Sequence, residues 1–145
     1  MAEAIIFTGL PGSGKTTYFA DHFVGTHEYI SRDVLGTAAR EAALVHECIR
    51  NGRSFVVDNT NVTRAARAPF IRAAKAAGFQ VHGYFFEIPT RTAIGRNNYR
   101  KDKKPIPVPA ILRTWKLLEA PSLEEGFDRV QTIVFQPNSG REKEK

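Results

Sequence analysis

The chain has 145 residues, with 21 basic against 15 acidic side chains, a formal net charge of +6 and one cysteine, Cys48. That length suits one domain with a substantial core and is too short for two ordinary ones. A lone cysteine rules out a disulfide framework and a cysteine-built metal site, while the basic balance favours an anionic partner such as a nucleotide or a nucleic acid. The opening MAEAIIF has no basic leader, and its apolar run is too short for a signal peptide or a membrane span. A cytosolic chain with no membrane association is expected.

The first apolar run, Ala4 to Thr8, predicts a buried strand, and a helical stretch from Thr16 to Val24 follows it after a glycine-rich turn. Tyr29 to Ile30 predicts a second strand, followed by a helix over Thr37 to Asn51 that Gly52 would end in a left-handed cap. Phe55 to Val57 is the third strand, and Thr63 to Ala77 the next helix, ended by Gly78. Pro69 inside that stretch predicts a kink or a later start. The strand Gln80 to Phe86, helices over Thr90 to Arg100 and Pro109 to Glu119, and the strand Val130 to Phe135 complete the series. Trp115 falls on an apolar helix face with Ile111, Leu112 and Leu118, which predicts a core position. This alternation predicts an α/β fold: a parallel five-stranded sheet with helices on both faces. One domain would span residues 1–136, and PNSGREKEK, 137–145, has the composition of a frayed tail.

The turn after the first strand reads GLPGSGKTT, residues 9–17. Gly9, Gly14, Lys15 and Thr16 meet the G-x-x-x-x-G-K-[ST] pattern between a strand and a helix, the context in which that pattern holds phosphates. Gly12 and Gly14 let the backbone close around a phosphate with its N–H groups inward, at the positive end of the helix. Pro11, Ser13 and Thr17 complete the nucleotide-binding stretch. Lys15 would reach the β- and γ-phosphates, and the Thr16 hydroxyl would ligate Mg²⁺. The expected nucleotide is ATP. No guanine-reading N-K-x-D is present.

Four later stretches bear on the acceptor. SRDVLGTAAR, residues 31–40, follows the second strand, at the edge where such sheets place ligands. Asp33 there is either a base for an attacking hydroxyl or the start of a helix. Arg40, two turns on, is either a phosphate ligand or a solvated arginine. VVDNTNVT, residues 56–63, ends the third strand on Asp58, the place for the acidic residue that backs the loop and its metal. Asn59, Thr60 and Asn61 would order the next turn through side-chain bonds. In RNNYRKDKKPIPVP, residues 96–109, Arg96 and Arg100 share a helix face and suit the charge of a transferring phosphoryl group. The proline-rich segment beyond would let this basic arm act as a lid.

Taken in order, GLPGSGKTT, SRDVLG with Arg40 following, VVDNTN, RNNYR, PIPV and EAPSLEEGF resemble the kinase domain of the polynucleotide 5′-hydroxyl kinases, in particular the kinase half of the bifunctional polynucleotide kinase-phosphatases. The resemblance runs from Ile5 to Phe135. It implies a P-loop kinase fold with the Asp58 strand beside the first. It also implies that Asp33 is the general base on the 5′-hydroxyl, that Arg40 holds the acceptor's phosphate and that Asp58 organises the acceptor side. Arg96 and Arg100 would be lid arginines on the donor, catalytic together with Lys15. The phage type of the family has an arginine three residues after the base, where this chain has Gly36, so acceptor contacts fall to Arg40 or elsewhere. The expected partners are nucleic-acid 5′-hydroxyl ends. Two other readings use the same loop: a kinase of a small-molecule hydroxyl, and a nucleotide-binding module without transferase activity.

Overall fold

Alternate residues of the strand Glu3–Gly9 (β1) leave opposite faces of the sheet, and this assigns the helices to their sides. The structure is a computed structural model that describes residues 2–99 and 104–135. Ala4 and Ile6 pack with Val45 and Cys48 of the helix Ala38–Arg50 (α3) and with Ile71 and Ala74 of Arg64–Ala76 (α4). Ile5 and Phe7 pack on the other face with Phe19 and Phe23 at the end of Lys15–His22 (α1). Apolar residues on both faces are what a fully covered parallel sheet requires.

The remaining strands are Glu28–Ile30 (β2), Phe55–Asp58 (β3), Gln80–Glu87 (β4) and Arg129–Val134 (β5). All pairings are parallel, in the order β2-β3-β1-β4-β5. The strand that ends in Asp58 is therefore β1's direct neighbour, with Asp58 opposite Phe7. The other helices are Arg32–Leu35 (α2), Thr90–Asn98 (α5) and Val108–Leu117 (α6), and a 3-10 turn at Leu123–Glu125 precedes β5. Every strand and every longer helix falls within two residues of its sequence expectation.

Helix starts follow local chemistry. The hydroxyls of Thr37 and Thr63 accept the backbone N–H of Arg40 at 3.1 Å and of Ala66 at 3.0 Å, caps worth about 1 kcal/mol each. Gly52 and Gly78 close α3 and α4 at positive φ, as expected. Pro69 neither starts nor ends α4. The Thr63 cap and the buried Arg67, Ile71 and Ala74 hold the helix on both sides of it, so packing outweighs the lost backbone bond.

Trp115 departs from expectation. Ile111 is the fully buried residue of α6, whereas Trp115 is 49% and Leu112 39% exposed. The helix buries one narrow stripe, and the apolar face extends beyond it into solvent.

Candidate active site

The phosphate loop is built from the backbone. Gly12 and Gly14 adopt φ of +82° and +96°, and a Cβ on Gly12 would stand 2.7 Å from the Ala93 carbonyl oxygen of α5. Only glycine meets both the left-handed backbone and this close approach. Gly14 caps α1, which has no side-chain cap and no acidic residue in its first turn. The helix's first N–H groups and its positive end thus face the loop, as an anion site requires. Pro11 and Ser13 are buried in it, and Thr17 is half-buried one residue beyond Thr16.

Lys15 is 9% exposed, and its ammonium donates to the carbonyls of Gly9 at 3.0 Å and Leu10 at 2.9 Å and to Ser13 Oγ at 3.4 Å. The charge lies inside the loop's own curve. Phe7 steadies the strand beneath, with ring centroids 4.8 Å from Phe86, 5.8 Å from Tyr84 and 6.1 Å from Tyr18 of α1. Such pairs contribute about 0.5–1.5 kcal/mol each beyond area burial.

Thr16 Oγ1 donates to Asp58 Oδ2 at 3.0 Å, and the Tyr29 hydroxyl of β2 donates to the same oxygen at 2.5 Å. Asp58 is 6% exposed, so these partners offset the cost of burying its charge. Burial, then the Asp58 charge, pushes the Tyr29 phenol well above its ordinary value, so Tyr29 remains a donor. Tyr29 was legible only as part of an apolar strand; no motif singles it out.

Asp33 is exposed in the first turn of α2, just past the carboxyl end of β2. With strands roughly 4.8 Å apart, two spacings place that end roughly 10 Å across the edge from the phosphate loop. Arg40, also exposed, lies in the first turn of α3, and its Nη1 donates to the Leu35 carbonyl at 3.4 Å, at the end of α2. It therefore belongs to the Asp33 side of the edge.

Arg96 of α5 reaches the loop from the opposite flank. Its Nε donates to the Gly12 carbonyl at 2.8 Å, and its guanidinium lies 4.8 Å from the Phe135 ring centroid. Asn97, fully buried, exchanges two hydrogen bonds with the Ile106 backbone, at 2.8 and 3.1 Å, and so joins the end of α5 to the approach to α6. Arg100, the second expected lid arginine, lies outside the described residues, as do Lys101, Lys103 and the tail 137–145.

Several polar side chains hold this edge together, among them Arg67, Glu125 and Glu41, which the sequence reading did not single out. Asn61, at φ +44°, donates to the Phe7 carbonyl at 2.8 Å, while its own carbonyl accepts from Thr8 Oγ1 at 3.1 Å and Arg67 Nη1 at 2.7 Å. Arg67, without exposed surface, pairs through Nε and Nη2 with both Glu125 oxygens, at 2.8 and 2.9 Å. Burial pushes the Glu125 carboxyl up, but the Arg67 bond, the Ser122 N–H and the arginine charges outweigh it and hold the pKa below the ordinary carboxylate value. Glu41 of α3, 2% exposed, accepts from Arg32 Nε at 3.2 Å and Nη2 at 2.9 Å, and also from Asn59 Nδ2. Asn59 Oδ1 accepts the Arg32 backbone N–H at 2.9 Å. Asn59, Thr60 and Asn61 are expected from the sequence to order the next turn; the side-chain bonds of Asn59 and Asn61 instead run to distant elements of the fold.

Among the described residues no helix is long and apolar enough to cross a membrane. The chain is similar to a putative bifunctional polynucleotide phosphatase/kinase of Acanthamoeba polyphaga mimivirus, 29% identical over 141 residues that cover 92% of this chain and 33% of the relative. It is also similar to the bifunctional polynucleotide phosphatase/kinase of Schizosaccharomyces pombe, 26% identical over 137 residues, covering 92% and 34%. The chain thus spans about a third of the length of these curated relatives. Among solved structures, Chaetomium thermophilum Kti12 in complex with ADP-AlF3 superposes with a TM-score of 0.71 at 19% identity, over 97% of this chain and 94% of that one. At that identity the likeness shows the fold alone. A family model described as AAA domain matches residues 5–120. That description names a type of domain and no reaction. With the phosphate loop and strands β2, β3 and β4 inside the matched span, the chain belongs to the AAA domain family.

Proposed function

We propose that this chain is an ATP- and Mg²⁺-dependent kinase that transfers the γ-phosphate to the 5′-hydroxyl end of DNA or RNA. The observation that carries the reading is the strand order β2-β3-β1, which sets Asp33, Asp58 and the phosphate loop side by side on one edge. A passive nucleotide binder needs no carboxylate two strands from its loop. The names of the two curated relatives support a polynucleotide as the acceptor.

In this reading the triphosphate lies along the N–H groups of Gly12 to Thr16, with Lys15 turning from the loop carbonyls to the β- and γ-phosphates. Thr16 and Asp58 would hold Mg²⁺, which takes hard oxygen donors, and the 3.0 Å bond between them supports that pairing. When bound, the cation supplies positive charge against the phosphate oxygens. Asp33 takes the proton of the 5′-hydroxyl as that oxygen bonds to the γ-phosphorus. The bond from the γ-phosphorus to its bridging oxygen breaks, and ADP leaves with the electron pair. Arg96, with Arg100, would balance the equatorial charge, and Arg40 would hold the acceptor's first phosphate. Phosphoryl transfer asks for little covalent chemistry from the protein, so positioning and charge supply most of the acceleration.

The test is a panel of acceptors offered with γ-labelled ATP: 5′-hydroxyl DNA and RNA oligomers, nucleosides and sugars. Label on the oligomers is expected. Label on small molecules alone would replace this reading by that of a small-molecule kinase, and no label anywhere would leave a nucleotide-binding module.

A further inference from the structure

The turn that carries Asp33 is short and is held in large part by contacts to other elements. Helix α2 has four residues, and Ser31 before it makes no side-chain cap bond. One turn of helix is unfavourable in isolation. Beside its own two backbone bonds, the packing of Leu35 against the core and the Arg40 bond to the Leu35 carbonyl, a closed ring of hydrogen bonds grips its first residue. The Arg32 backbone N–H donates to Asn59 Oδ1 at 2.9 Å, Asn59 Nδ2 donates to Glu41 Oε2, and Glu41 Oε1 accepts from the Arg32 guanidinium at 2.9 and 3.2 Å. The ring joins three segments: the turn that bears Asp33, α3 just after it, and the loop after β3, 27 residues from Arg32. Asn59 is the residue after Asp58, whose carboxylate holds Thr16 of the phosphate loop. One peptide unit therefore links the carboxylate beside the donor to the ring that grips the turn of the proposed base.

Glu41 is 2% exposed while the Arg32 side chain is 53% exposed. A buried carboxylate paired in this way gains little net stability, because desolvation offsets the attraction; its effect is to favour one geometry over others. We infer that Asn59 and Glu41 are positioning residues for the transfer reaction. Through Arg32 they hold the Asp33 carboxylate at a fixed distance from the phosphate that Asp58 and Thr16 help to present. Neither residue touches the reacting atoms. The inference rests on the reading of Asp33 as the base.

The experiment compares Asn59→Ala, Arg32→Lys and Asp33→Asn, singly and with Asn59→Ala combined with Asp33→Asn, by single-turnover transfer to a 5′-hydroxyl oligomer and by titration with ATP. Arg32→Lys alters an exposed side chain and keeps its charge, so it reports even if Asn59→Ala folds poorly. Asn59→Ala should slow transfer roughly tenfold to a hundredfold, the cost of a misplaced catalytic group, with ATP affinity within about twofold of the parent. Arg32→Lys should slow it less. The double variant should be no slower than Asp33→Asn, because Asn59 acts through that carboxylate. Hydrogen exchange of the α2 amides supplies a readout independent of any acceptor: Asn59→Ala should lower protection across Arg32–Leu35 and leave β3 unchanged. Normal transfer by Asn59→Ala and Arg32→Lys beside a slow Asp33→Asn would overturn the inference, as would multiplying effects in the double variant or unchanged exchange in α2. Normal transfer by Asp33→Asn would instead overturn the underlying reading of the base.

Discussion

The two sides of the proposed active edge are assembled in different ways. The donor side is one contiguous run, Gly9 to Thr17, whose geometry comes from glycine backbone angles and the start of a helix. The proposed acceptor side is gathered from Tyr29, Arg32, Asp33, Arg40, Glu41, Asp58 and Asn59, which come from two strands, the residue after the second and two helices, and it is joined in part by side-chain hydrogen bonds. A contiguous, backbone-built site tolerates change around it and fails abruptly within it. A site gathered by side chains can lose alignment while the fold survives. Nucleotide binding and acceptor chemistry are therefore expected to respond to different substitutions.

The largest separation should come from Lys15→Ala. It removes the one ammonium inside the loop, so transfer should be abolished and triphosphate binding weakened, with the fold intact by circular dichroism. Unchanged turnover would remove the loop from the mechanism.

Next in size is a change to neither side but to the brace behind both. Arg67→Ala takes the bidentate partner from Glu125 and one of two donors from the Asn61 carbonyl, a class of change that costs about 3–5 kcal/mol. Urea unfolding should show it as a lower midpoint. A loss under 1 kcal/mol would mean that the brace is incidental.

A smaller effect appears in acid. The folded pKa of Glu125 lies below its unfolded value, so the unfolded chain takes up this proton more readily. The stabilisation is complete above the ordinary carboxylate value of 4.5 and is lost as pH falls through the lower folded value. The gap in urea midpoint between the parent and Glu125→Gln should accordingly narrow as pH is lowered below that point. A gap that stays constant would contradict the ion-pair account.

How much of this could be read from the residues follows the same division. The strands, the longer helices and the phosphate loop were legible because period-2 and period-3.6 apolar patterns and glycine spacing are local signals, whereas the adjacency of the Asp58 strand came only with the family resemblance. Asp33 could be named as a base only beside the alternative of a helix start, and the structure does place it in the first turn of α2. Glu41 looked like any charged residue in an amphipathic helix; its burial depends on Arg32 and Asn59, nine and 18 positions away. Arg67 was hidden in the same manner by a partner 58 residues on. Trp115 misled in the opposite sense, since an apolar stripe shows which face is greasy but not how wide a surface its neighbours cover.

The most direct measurement of the central claim is rapid-quench transfer by Asp33→Asn from saturating ATP to a 5′-hydroxyl oligomer, with ATP affinity measured on the same preparation. The account predicts a rate lower by roughly two to four orders of magnitude with ATP binding preserved. A near-parental rate would contradict it and leave Asp33 as an ordinary residue at the start of a short helix.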